Sequence, residues 1–353
     1  MLRLHTPELA EYRVESGASA SERGAFPGRV PAAFFAIAVG LFGLGNDWRA
    51  AAGLWRLPSV IGEVAMVLGT LLSMTLTVLY AAKWVWARES AREEWSHPVQ
   101  CCFVGLMPAS WQLAGLALRP YGPAVANTLF WIGVAGYVAF MVDRIATLWS
   151  GGRNPLATTP VLYLPAVAGS FITSIVAAAF GYPTIATISF GAGFFSWLAL
   201  ESVLLHRLLV HEPLDGRLVP TLGIQLAPPT VGCVAYLGIT TGPADPFALM
   251  LFGYGLLQAL VLVRLTPRFV RQPFAPSFWA FSFGAASLAL AAVRIAARSD
   301  GHTGITRLAI GLFVAANVVV GAILVRTILL VVRGRLLPPA PIAVSAVGFT
   351  PPS

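Results

Sequence analysis

The sequence predicts an all-α integral membrane protein, with ten transmembrane helices arranged as five helical hairpins in a quasi-fivefold ring around a central pore. Three observations carry that class. Of 353 residues, 57% are hydrophobic and only 11% are charged, about half the charge of an ordinary soluble domain. Apolar runs long enough to cross a bilayer recur along the chain and leave no stretch in which a soluble domain could hold its own core. Two markers, a mid-span proline and a cluster of small residues, alternate from run to run with a matched period.

Taken in order, residues 1–27 are polar, of mixed charge, and lack the basic-then-apolar order of a cleavable signal peptide. They are expected to form a mobile cytoplasmic arm. The membrane domain is 28–335. Its spans are expected at 31–45, 60–86, 98–118, 125–149, 160–180, 184–205, 220–239, 246–265, 273–296 and 305–332. The remainder, 336–353, is Pro-rich and expected to be disordered.

Proline interrupts the odd spans at Pro108, Pro165, Pro228 with Pro229, and Pro276. The even spans show no comparable proline and carry WIGVAG at 131–136, FGAG at 190–193 and FGYG at 252–255. About 57 residues separate Pro108 from Pro165, and about 58 separate Gly133 from Gly191. The next pair, Pro165 to Pro228 and Gly191 to Gly253, is about 63 and about 62. The repeating unit is therefore a hairpin of one kinked and one glycine-bearing helix. Proline frees a carbonyl and bends the helix, which is tolerated where backbone lines a cavity or packs in protein. The odd spans are thus the candidates for the axis, and the glycine-bearing spans for close helix–helix approach. The plainer alternative is that proline and glycine are frequent in membrane helices anyway.

The net charge of +8 does not signal nucleic acid, because the basic residues sit between apolar spans. They read as topology signals. Seventeen of the 23 Lys and Arg fall on the side of the arm, the even-to-odd loops and the tail. That bias places both termini in the cytoplasm and the protein in the cytoplasmic (inner) membrane.

Catalytic chemistry is not indicated. The five histidines lie in the arm or at span ends, and HExxH, GxSxG and P-loop patterns are absent. Cys101, Cys102 and Cys233 form no CxxC pair. No metal, cofactor or enzymatic activity is therefore expected. Ionisable residues at membrane depth are Glu63, Asp143, Arg144 and Glu201, all on even spans. The cores of spans three, five and seven carry no charge, which argues for an uncoupled path and against cation selectivity.

The stretch 274–289, FAPSFWAFSFGAASLA, looks like a wall or a plug. On an ideal helix Phe278, Phe281 and Ala285 share a face while Phe283 points elsewhere. A large ring on a face that thins to alanine can close a narrow opening, or it can simply pack against neighbours.

Several motifs together resemble the tellurite-resistance/dicarboxylate transporter family, related to plant guard-cell slow anion channels. They are HPV at 97–99 followed by Pro108, YLPAVAG at 163–169, FGAG at 190–193, GIQLAPP at 223–229, GYGLLQ at 253–258 and FWAFSFG at 278–284. The resemblance implies a homotrimer of ten-helix protomers, each with its own pore lined by the five odd helices. It also implies a phenylalanine on the ninth helix that occludes the pore, which the motif places at Phe281. One departure is AIAVG at 36–40, with Ala38 where the family often has proline; a kink in the first helix is therefore open. The expected function is an anion channel or channel-like permease for small inorganic or organic anions, embedded in lipid. The alternative is a secondary carrier exporting tellurite, sulfite or C4-dicarboxylates. The candidate gate is Phe281, and the candidate lining residues are Phe35, Pro108, Pro165, Pro228, Pro276, Phe278 and Ala285.

Overall fold

A computed structural model describes residues 26–299 and 303–337. Most of the expected arm and tail lies outside these residues. The described residues form helices and no strand. Nine helices among them are long and apolar enough to cross a bilayer. A further helix, Phe35–Trp55, runs 21 residues straight through Ala38. Its hydropathy is lowered by Asn46, Asp47 and Arg49, and it ends ten residues beyond the expected limit at Gly45. Counted from this helix, the ten segments follow one another in the expected order.

The odd and even segments differ in how their backbones are wound. The second, fourth, sixth, eighth and tenth are single α-helices, Val60–Trp86, Pro123–Trp149, Pro183–Val210, Pro246–Val270 and Thr303–Val332. The eighth extends past its expected end and takes Pro267 into its last turn. The odd segments each begin in tighter or wider winding and only then become α-helix. A 3-10 turn, Ala32–Phe34, precedes the first. The third is 3-10 over Gln100–Gly105 and α over Leu106–Leu118. The seventh is 3-10 over Val219–Leu226 and α over Ala227–Ile239. The ninth is 3-10 over Pro276–Phe281 and α over Ser282–Ala297. The fifth passes from a 3-10 turn, Pro160–Leu162, through a π-turn, Leu164–Ala168, into the helix Gly169–Ala179.

The prolines stand at these transitions because a residue in the first turn of an α-helix has no intrahelical acceptor for its N–H. Pro108 and Pro228 with Pro229 occupy that first turn. In the fifth segment Pro165 lies inside the π-turn, and its freed backbone groups are met from outside. The Tyr137 hydroxyl of the fourth helix lies 2.8 Å from the Pro165 carbonyl and 3.1 Å from that of Leu164. It also accepts the Gly169 N–H at 3.0 Å. Residue 169 must be glycine for this seat, since a Cβ there would overlap the Tyr137 ring.

The odd segments are the inner ones. Of their most apolar stretches 67–89% is buried for the third, fifth, seventh and ninth, against 17–33% for the five even helices. The first helix packs on the third, the third on the fifth, the fifth on the seventh, the seventh on the ninth, and the ninth on the first, so the inner helices close a ring. Each even helix lies outside, in the groove between the inner helix before it and the next one round. The mixed exposure of the outer helices, with apolar side chains such as Leu71, Ile188 and Val263 left bare, suits lipid.

A short polar helix, Arg88–Ser96, follows the second segment. It fixes the start of the first. Glu94 accepts the Ala32 N–H at 2.7 Å and pairs with Lys83 at 2.8 Å, and Lys83 also donates to the Val30 carbonyl at 3.2 Å. At the other end of the bundle Asp245 caps the eighth helix by accepting from Ala248 N–H at 2.9 Å. The Tyr236 hydroxyl, 2.5 Å from that carboxylate, and the capped backbone hold its pKa below the ordinary aspartate value.

Candidate functional site: two cavities among the inner helices

The larger cavity, about 790 Å³, opens at the end where the inner segments begin. All five inner segments line it. Its mouth is polar and mostly basic, with Arg29, Lys83, His97, Arg217 and Arg335 beside Glu93 and Glu94. Farther along each inner segment the lining becomes apolar, and the last residues reached are Val39, Leu106, Ile172, Val231 and Phe283. A second cavity, about 310 Å³, lies among the far ends of the fifth, seventh and ninth helices. It is lined by Ile175, Ala178, Leu237 and Gly238 together with Arg294 and Arg298.

On the fifth helix Ile172 lines the first cavity and Ile175 the second. Three residues of α-helix rise about 4.5 Å. On that wall the partition between the cavities is therefore less than one turn thick. Phe283 stands at the apolar end of the larger cavity. Its ring lies against Gly43 of the first helix, where a Cβ would come 2.9 Å from the ring. Gly40, one turn earlier on the same face, meets Ser282 and Trp279, so the first helix presents its backbone to the ninth here.

Phe281 is placed differently from the expectation. It does not line either cavity. Its ring packs on Phe269 of the eighth helix, centroids 4.8 Å apart, and on Phe278 at 6.2 Å. It covers Gly223 of the seventh segment, where a Cβ would come 2.7 Å from it. Residues 276–281 are 3-10, three residues per turn, so Phe278 and Phe281 stack above one another and turn together toward the wall. The α-helix starts at Ser282 and carries Phe283 to the lumen.

Other expected lining residues separate in the same way. Pro228 and Pro276 line the larger cavity. Phe35, Pro108, Pro165, Phe278 and Ala285 line neither. Phe35 sets its ring against Tyr80 of the second helix, centroids 6.5 Å apart. Pro108 sits under Gly136 of the fourth, where a Cβ would be 3.2 Å from its own Cβ. Pro165 is held by Tyr137 as described. Phe278 stacks on Phe274, at 5.2 Å.

The ionisable residues expected at depth tie helices together. Glu63 pairs with Arg49 at 2.7 Å and accepts from Tyr121 at 2.9 Å. Asp143 pairs with Arg144 at 2.6 Å, whose guanidinium lies 4.3 Å over the Trp95 ring. Glu201 accepts from Tyr163, from Trp197 at 2.9 Å and from Tyr254 at 2.8 Å, linking the fifth, sixth and eighth segments. Asp47 was not foreseen. It is wholly buried, and neither carboxylate oxygen has a hydrogen-bond partner among the described residues. By its four-residue spacing from Gly43 it continues the face that the first helix turns to the ninth.

The closed ring of five inner helices matches the arrangement of odd helices that the motif resemblance implies. The profile of the voltage-dependent anion channel family, SLAC1, matches residues 29–328. The chain belongs to that family. Among relatives, the tellurite resistance protein TehA homolog of Haemophilus influenzae is 34% identical over 311 residues, covering 88% of this chain and 93% of its own. An uncharacterized transporter of Methanocaldococcus jannaschii is 27% identical, covering 64% and 72%. The guard cell S-type anion channel SLAC1 of Arabidopsis thaliana is 23% identical, covering 85% of this chain and 56% of that channel. As a SLAC1-family member the chain is a multi-pass membrane protein of a group of anion channels and transporters, and its matched region contains every inner helix.

Proposed function

We propose that the chain is an anion channel or channel-like permease, and that anions pass along the axis of the inner ring from one cavity to the other past the ring of Phe283. One observation carries this reading: a cavity lined by all five inner segments comes within one turn, on the fifth helix, of a second cavity lined by the fifth, seventh and ninth helices. An apolar ring in a narrow passage excludes an ion by filling space and by denying a substitute for its hydration shell. Among the described residues no carboxylate lines the apolar end of the larger cavity or the second cavity, while basic side chains line the mouth of the first and the second cavity, which suits anions. We count Phe35–Trp55 as a tenth crossing, place both termini in the cytoplasm by the charge bias, and take the assembly as a homotrimer with one path per protomer.

A second reading is a proton-coupled anion carrier, and Asp47 is the observation that favours it, because a wholly buried carboxyl on an inner helix, without a hydrogen-bond partner among the described residues, can hold a transported proton. The test reconstitutes purified protein in bilayers and in vesicles. Stepwise unitary current reversing at the anion equilibrium potential, unchanged in Asp47→Asn, supports the channel. Electroneutral proton-linked uptake that Asp47→Asn abolishes supports the carrier.

A further inference from the structure

The far cavity contains two arginines whose charge no described carboxylate neutralises. Arg294 and Arg298 are one turn apart on the ninth helix, so their Cβ atoms stand about 5–6 Å from each other. Both line the cavity. Arg294 lies eleven residues beyond Phe283, three helical turns along the same stripe. Neither arginine has a carboxylate partner among the described residues; their acceptors are neutral. Arg294 donates to the Val234 carbonyl at 3.1 Å. Arg298 donates to the Leu237 carbonyl, and to Thr240 Oγ1 at 3.3 Å. These bonds tie both side chains to the end of the seventh helix and orient the guanidinium planes. They use one of the five N–H donors of Arg294 and two of those of Arg298.

Two like charges held at this spacing in a partly buried cavity repel each other, and an anion between them relieves that repulsion. The guanidinium fork matches two oxygens at once, which a spherical halide cannot offer. We infer that Arg294 and Arg298 form an anion-binding site in the far cavity that takes a small oxyanion, planar or tetrahedral, in preference to chloride. The inference rests on the anion-pathway reading and adds to it a ligand class. The plainer role, two arginines satisfying helix-end carbonyls, needs no ligand and predicts no anion preference.

The experiment measures thermal unfolding of the purified full chain in detergent while sodium nitrate replaces sodium chloride at constant ionic strength. The saturable part of the shift is separated from the non-specific salt effect, which grows linearly, by its concentration dependence. The expected result is a saturable upward shift in unfolding temperature with nitrate, half-complete at a concentration about tenfold or more higher in either single glutamine variant, and absent in the Arg294→Gln/Arg298→Gln double variant. Arg294→Lys and Arg298→Lys keep the charge and lose the fork. They should weaken the nitrate preference by a similar factor, and they decide the matter if the glutamine variants do not fold. Asp300 lies outside the described residues, so Asp300→Asn is included; retained or tighter nitrate binding there supports the arginine site, and lost binding overturns it. A shift that persists in all arginine variants, or no saturable shift in the parent protein, also overturns it. Anion flux through vesicles, measured in parallel, separates the two ideas. Flux without a saturable nitrate shift removes the site and leaves the channel reading, and the shift without flux does the reverse.

Discussion

Phe283 of the ninth helix rests on Gly43 of the first so closely that a methyl group at position 43 would stand 2.9 Å from its Cδ2 and 3.3 Å from Ala286 Cβ. The contact joins two neighbouring inner helices at the apolar end of the larger cavity. Gly43→Ala should therefore destabilise the protein by about 1–3 kcal/mol, the usual cost of an extra carbon in a packed site. In a Phe283→Ala background the same change should cost much less. The coupling between the two, read from unfolding in a double-mutant cycle, should be about 1 kcal/mol or more. Additive effects would place the ring elsewhere.

Phe281 should behave as an ordinary packing residue. Its ring fills the space between Phe269 and Gly223, and alanine there leaves a void. The expected loss is on the order of 3 kcal/mol. Anion conductance of the folded fraction should stay at the parent level. A gain of conductance with unchanged stability would return the gate to Phe281.

The Lys83–Glu94 pair should govern how the first helix begins. Both side chains are nearly inaccessible, at 4% and 7%. Removing one partner strands a buried charge and costs about 3–5 kcal/mol. Glu94→Gln also weakens the acceptor of the Ala32 N–H. Lys83→Met and Glu94→Gln should each lower the unfolding temperature sharply, and the double variant Lys83→Met/Glu94→Leu should recover part of the loss. Single variants as stable as the parent would mean that the pair is not buried in the membrane-embedded protein.

How far the sequence spoke for itself differs between these features. Length and hydropathy located the long helices because lipid demands both, and alternating proline separated inner from outer segments because only the inner ones carry irregular backbone. The first helix was cut short at Gly45 because Asn46, Asp47 and Arg49 break the apolar run, yet it continues, with Asp47 buried and Arg49 answered by Glu63. The helix Arg88–Ser96 was missed because its charges read as loop, while its Glu94 is needed by Lys83 and Ala32. Which of Phe281 and Phe283 meets the cavity was not legible, because the two stand about 200° apart on a helix and hydropathy does not record the rotation of a segment that begins in 3-10 winding. Local winding of this kind leaves no mark in hydropathy.

Assembly gives a separate check. If three protomers associate through the outer helices, native mass spectrometry from mild detergent should show trimers. A stable monomer under the same conditions would remove the trimer from the account without touching the path within one chain.

The most direct measurement is single-channel recording of Phe283→Ala in planar bilayers, beside the parent protein and Phe281→Ala. Removing the ring joins the cavities, lets water into the partition and gives an anion a path it can stay hydrated along. The account predicts unitary anion currents in Phe283→Ala that are at least about tenfold larger than in the parent, with Phe281→Ala indistinguishable from the parent. Equal currents in Phe283→Ala and the parent, from protein of equal folded content, would contradict it.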